Sequence, residues 1–188
     1  MGPFDLNGRN YNNFVLKIYL KEAKMIRRSI SLLFFLFFIS GCAIKDIKEQ
    51  KSKFIVIKTP EIKFADMGFV STFDDKLNIQ IYSSGEAVLS IDIYKDKICT
   101  STFKCMDKQS FNKKIFHQNY PADTLENIFL AKPIFGGTNI TKTKDGFTQE
   151  IIFSNTYTMH NRISYTVSND DIIFNHETNN ILIKVQNR

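Results

Sequence analysis

Downstream of residue 53 the chain alternates between apolar and polar positions. Phe54-Ile55-Val56-Ile57-Lys58 reads as a first strand, closed by Thr59-Pro60. Residues 62–73 are less regular, and Gly68 is expected to be a bend between two short strands. The period then becomes clean. Leu77, Ile79 and Ile81 alternate with Asn78, Gln80 and Tyr82, Ser83-Ser84-Gly85 makes a turn, and Ala87, Leu89, Ile91 and Ile93 alternate with Val88, Ser90, Asp92 and Tyr94. A period of two over this length predicts half-buried antiparallel strands. Lys95-Asp96-Lys97 turns the chain into a strand from Ile98 to Phe103.

Between residues 107 and 132 the period changes. Phe111 and Ile115 lie four apart, Pro121 and Asp123 stand where helices start, and Leu125, Ile128 and Phe129 form an i, i+3, i+4 face before Pro133. Two short helices follow from this, roughly 108–116 and 121–131. Strands resume around the hairpin signal Lys144-Asp145-Gly146, then through Ile163, Tyr165 and Val167, Ile172 to Phe174, and Ile181 to Val185. The pattern predicts a mainly β domain of the α+β class, a sandwich or a curled antiparallel sheet of about 9–11 strands with two helices inserted near 108–131. Ile79, Ile81, Leu89, Ile91, Ile93, Phe103, Leu125, Ile128 and Phe129 then either fill a core or line an apolar cavity.

Upstream, the pattern is of another kind. Arg27-Arg28 precedes an apolar run from Ile30 to Ile39, followed by Ser40-Gly41-Cys42. Charge, then a short apolar run, then small residues is the order of a secretory signal, and the run is too short to span a bilayer as a helix. Residues 1–24, with Asn7, Asn12, Asn13 and mixed charges, fit no signal, so Met25 is the expected start and 25–41 the leader. Residues 42–53 are polar and read as a tether, and 54–188 as one domain.

This division changes the meaning of the charge. The chain carries +6, but residues 1–41 hold six of its 25 basic and two of its 19 acidic residues. The remainder is close to neutral and has no clustered Lys/Arg stripe, which argues against nucleic acid as a partner. Cys42 set aside, Cys99 and Cys105 remain. An exported protein meets an oxidising compartment, which makes them a candidate disulfide. Residues six apart in one straight strand stand about 20 Å apart, whereas a disulfide needs Cα atoms within about 7 Å. Either residues 100–104 turn or the pair stays reduced.

Catalytic chemistry is hard to assemble from the rest. His117, His160 and His176 have no partner at ligand spacing and read as exposed turn residues, and no serine sits in a nucleophile elbow. Asp74-Asp75 and Asp170-Asp171 fall in turns. No metal, no cofactor and no enzymatic activity are expected.

Two resemblances bear on function. Ile39-Ser40-Gly41-Cys42 resembles the bacterial lipobox. That resemblance implies acylation of Cys42, cleavage before it, and a covalent anchor that holds the protein on a membrane. Ala43, where an aspartate would imply inner-membrane retention, points to the outer membrane, facing the periplasm. Residues 120–186 loosely resemble the Lol-type family of periplasmic lipoprotein carriers and outer-membrane receptors. The shared features are Pro121, Leu125, Pro133 and Gly136, then Asp145-Gly146-Phe147-Thr148-Gln149, Ser164-Tyr165 and Ile181 to Val185. The resemblance implies an unclosed half-barrel with a helical lid, whose apolar interior binds acyl chains or acylated lipoproteins. Rival readings are an envelope-assembly lipoprotein that binds a protein partner, and a surface adhesin.

Overall fold

In the computed structural model, residues 20–21, 46–116, 120–153 and 161–188 are described. The chain divides into Met1–Ile44 and Lys45–Arg188. The second unit contains every strand described below and the whole core. The leader and Ile39, Ser40, Gly41 and Cys42 lie outside the described residues, as do His117 and His160.

Eleven strands form one antiparallel sheet: β1 (Glu49–Lys58), β2 (Lys63–Thr72), β3 (Lys76–Ser83), β4 (Glu86–Tyr94), β5 (Lys97–Thr100), β6 (Met106–Asp107), β7 (Ile140–Thr143), β8 (Gly146–Phe153), β9 (Asn161–Ser168), β10 (Asp171–His176) and β11 (Ile181–Gln186). Their order across the sheet is β6-β5-β4-β3-β2-β1-β11-β10-β9-β8-β7. The first and last strands thus meet in the middle, and β6 and β7 are the two open edges. The chain crosses from one edge to the other through helices α1 (Lys108–Ile115) and α2 (Thr124–Phe129). The fold is a curled, unclosed antiparallel sheet with two short helices.

Register fixes the faces, because cross-strand partners share one. Ile57 pairs with Phe64 and Ile183, Ile79 with Val70 and Ile91, and Phe174 with Ile183 and Tyr165. Extended across all strands, this row is the inner face, and it supplies most of the buried core. The tight turns follow from residues that tolerate left-handed backbone. Ser84 and Gly85 (φ 53° and 87°) close β3 to β4, and Asn169 and Asp170 (φ 49° and 67°) close β9 to β10.

Several boundaries differ from the sequence reading, each for a physical reason. Residues 49–53, expected in the tether, are the first half of β1 and pair with β2 along its length. Their inward positions, Lys51 and Lys53, reach the rim of the sheet, so the strand there needs no apolar residue. Gly68 is no bend. It lies within a continuous ten-residue β2, where an added Cβ would stand 2.2 Å from the Gln80 carbonyl oxygen and 2.9 Å from Ile55 Cδ1. The strand expected over Ile98–Phe103 stops at Thr100, whose hydroxyl accepts from the Phe103 N–H at 2.8 Å and turns the chain. The second helix is shorter than 121–131, because Ala131 takes a left-handed φ of 53°.

Candidate functional site

Residues 107–116 and 120–139 form a lid over the inner face. Its entry is set locally. Asp107 caps α1 by accepting from the Ser110 N–H at 2.8 Å; hydrogen bonding from the Ser110 hydroxyl and then from this N–H holds its carboxyl below the usual range, and Lys113 and Lys114 occupy the negative C-terminal end of the helix. Phe111, Ile115, Phe116, Leu125, Ile128, Phe129 and Ile134 are all buried against the sheet. The two helices are tied to each other by Lys108 and Glu126, 2.6 Å apart, and by Asn112, which donates to the Pro121 carbonyl at 2.9 Å.

Polar side chains rising from the sheet fasten the lid from below. Gln149, on β8, accepts from the Ile134 N–H at 2.9 Å and donates to the Ile134 and Thr138 carbonyls at 3.0 and 2.9 Å. Tyr165, on β9, donates to the Lys132 carbonyl at 3.1 Å. Tyr120, between the helices, hydrogen-bonds through its hydroxyl to His176 Nδ1 at the end of β10. Burial pushes both tyrosine hydroxyls up from their ordinary range and the His176 imidazole down. His176 is therefore not the exposed turn residue expected from the sequence. It ends β10 on the inner face and is 0 % exposed.

The lid seals the sheet incompletely at the end where β1 begins. A cleft of about 120 Å³ opens there, lined by Glu49, Lys51 and Lys53 of β1, Val70 and Thr72 of β2, Phe129, Leu130 and Ala131 at the end of α2, and Asp170, Ile172 and Val185. Beyond Leu130 a second cleft of about 270 Å³ runs past Asp74, Lys76, Lys95, Lys108 and Glu126. At the first cleft Lys51 stands 3.3 Å from Glu49 and 3.8 Å from the Asp170 carboxylate. Lys53, 5 % exposed, donates instead to two neutral oxygens, Asn187 Oδ1 at 2.7 Å and the Asp170 carbonyl at 3.2 Å.

The residues taken from the sequence as a candidate cavity fall into place unevenly. Ile79, Ile81, Leu89, Ile91, Ile93, Leu125, Ile128 and Phe129 belong to one packed core. Of these, Phe129 also lines the first cleft and Ile93 the second. Phe103 is half-buried, with the Lys114 ammonium 4.4 Å from its ring centre. Cys99 and Cys105 are bonded, their Cα atoms 4.0 Å apart across the Thr100–Phe103 turn. Sequence reasoning missed Lys53 and His176 and gave Gln149 and Tyr165 no role beyond the resemblance. For Gln149 and Tyr165 the signal was there: each occupies an inward position between apolar neighbours on its strand, Phe147 and Ile151 or Ile163 and Val167, where a polar group must find a partner.

Among the described residues, no group of three or more His, Cys, Asp or Glu side chains could hold a metal ion, and no helix is long and apolar enough to cross a membrane. No protein-family model matches the chain, and no curated protein matches it at a significant level.

Proposed function

We propose that this is an envelope lipoprotein, anchored through Cys42 in the outer membrane and facing the periplasm, which takes acyl chains, free or on lipoproteins, onto its inner sheet face. The observation that carries the reading is the manner of closure. Among the described residues, a curled apolar sheet is covered by the connection between β6 and β7, residues 107–116 and 120–139, and not by a second sheet. That segment meets an open cleft at its end.

The energetics favour an exchange. In the closed state the lid's apolar side chains fill the interior, so a ligand enters by displacing them. Apolar surface uncovered by the lid is covered again by acyl chain at the same roughly 25 cal/mol per Å². The net cost then lies in the few hydrogen bonds of Gln149, Tyr165 and Tyr120, each worth about 1 kcal/mol. The lipobox resemblance supports the anchor, and the position of Gln149 and Tyr165 at the lid supports the Lol-type comparison. The reading is of a carrier or receptor and assigns no catalysis.

The test is native mass spectrometry of residues 45–188, followed by organic extraction and titration with a fluorescent acyl probe. Bound fatty acid or phospholipid, or saturable uptake of the probe, is the expected result. A clean unliganded mass with no uptake would leave the inner face as a packed core and sink the reading. One observation favours a protein partner instead. The open edge β7 has Ile140 38 % exposed, and Ile152 on the outer face of β8 is 56 % exposed. In that case a partner strand would add to β7.

A further inference from the structure

We propose that the cleft under the end of α2 is a head-group site, and that the ligand it takes is an acyl chain ending in an anionic oxygen group, a carboxylate or a phosphate, held by Lys53. The inference rests on the acyl-binding reading above and adds the chemistry of the ligand's polar end.

Three observations lead to it. First, the cleft is two-sided. Val70, Phe129, Leu130, Ile172 and Val185 form its apolar inner wall, and Lys51, Lys53, Thr72, Glu49 and Asp170 stand on its polar side, where the two carboxylates face Lys51. A wholly polar ligand leaves the first surface unused, and a wholly apolar one buries the second.

Second, the two lysines differ. Lys51 is shared between Glu49 and Asp170, whereas Lys53 has no carboxylate within 4.0 Å among the described residues. Its ammonium carries three donors, and two are taken by Asn187 Oδ1 and the Asp170 carbonyl. A buried ammonium with neutral partners and one donor to spare favours an anion, because burial without a counter-charge is costly and a charge-assisted bond strengthens as water is excluded.

Third, the volume suits a head group and not a chain. About 120 Å³ is slightly less than the roughly 150 Å³ apolar cavity that accommodates a benzene ring. A carboxylate or phosphate with its first carbons fits the closed form. The remaining methylenes pass beneath Phe129 and Leu130 only when the lid lifts. The cleft also lies at the Glu49 end of β1, six residues (43–48) after Cys42. A chain that short spans no more than about 25 Å, so in an acylated protein the site would open close to the membrane that supplies such molecules.

The experiment compares four probes of one chain length, dodecyl phosphate, dodecanoate, dodecanol and dodecyltrimethylammonium, below their micelle concentrations. Inorganic phosphate is a fifth. Each is titrated calorimetrically into residues 45–188, the unit that holds the whole sheet, core and disulfide. The two anionic probes are expected to bind at least about tenfold tighter than dodecanol, the scale of one charge-assisted hydrogen bond. Lys53→Met should erase that preference and leave dodecanol unchanged. Equal binding of anionic, neutral and cationic probes to the wild-type protein would overturn the head-group site and leave acyl binding standing. This comparison needs no variant, so it holds even if Lys53→Met fails to fold. Inorganic phosphate binding as tightly as dodecyl phosphate would overturn the acyl part and make this a free-anion site. Failure of every probe, dodecanol included, would overturn the acyl-binding reading itself. If both anions win, the ratio of dodecanoate to dodecyl phosphate separates a fatty acid from a phospholipid source.

Discussion

Gln149 grips Ile134 by both backbone groups. Its Oε1 accepts from the Ile134 N–H at 2.9 Å, and its Nε2 donates to the Ile134 carbonyl at 3.0 Å. One side chain from the sheet thus takes the place of a strand partner for a lid residue that belongs to no strand. Ile134 is 0 % exposed and Gln149 1 %, so water cannot substitute. Replacing Gln149 by Leu keeps the volume and orphans both groups together with a bond to Thr138. The expected loss is about 3 kcal/mol, since each buried unpaired group costs about 1–3 kcal/mol. Urea denaturation measures it. Amide exchange at Ile134 should rise far more than exchange in β1. A loss below about 0.5 kcal/mol would show that the lid is held by its apolar contacts alone.

The burial of His176, whose Nδ1 meets the Tyr120 hydroxyl, makes stability depend on pH. Burial lowers the His176 pKa from its ordinary 6.5. The unfolded chain therefore binds the proton first as pH falls. The contribution is fully present above about pH 6.5 and is lost as pH drops below it toward the folded-state value. One proton gives a slope of at most about 1.4 kcal/mol per pH unit. Denaturation midpoints between about pH 7.5 and about pH 5 should fall in the wild type. In His176→Gln, which has no titrating ring, that part of the fall should vanish. An unchanged pH profile in the variant would assign the dependence to other groups.

The sequence revealed the sheet well where one face is apolar and the other polar, as along β3, β4, β9 and β11. It failed where the inward position faces something other than core. Lys51 and Lys53 continue the inner face of β1 to the rim, so the strand reads as a polar tether. Gln149 and His176 interrupt apolar rows because they bind lid backbone and a lid tyrosine, contacts set by a connection between opposite sheet edges. Local pattern holds no trace of such a crossing. The helices were legible from Leu125, Ile128 and Phe129, but the lid they form came only from the Lol-type resemblance and not from the local pattern, because it depends on β6 and β7 lying at opposite edges.

Gly68 shows the same limit from another side. Read locally, a glycine in an irregular stretch is a bend. In the sheet it sits opposite Ile81 and admits the Gln80 carbonyl and Ile55 into the space of a Cβ. Gly68→Ala should cost about 3 kcal/mol, the upper range of overpacking, because the first obstacle at 2.2 Å is backbone and cannot rotate away. Thermal denaturation checks this. A variant as stable as the wild type would mean that β2 can shift away from β3 at little cost.

The Cys99–Cys105 bond acts on the corner from which the lid departs. It closes a loop with a sequence separation of 6, and for so short a loop the entropy removed from the unfolded chain is worth about 2 kcal/mol. Thiol titration of the unfolded, unreduced protein should find neither residue free. Serine at both positions should lower stability by about that amount. The structural effect should be local. β6 is only two residues long and runs directly into the Asp107 cap of α1, so without the bond the edge strand and the first turn of the lid lose their fixed starting point. Amide exchange should therefore quicken over residues 97–112 and stay unchanged in β1 and β11. If acyl uptake requires lifting the lid, the serine variant should also take up an acyl probe faster than the oxidised protein. Equal uptake rates would mean that the lid opens from its Ala131 end and that the disulfide corner stays shut.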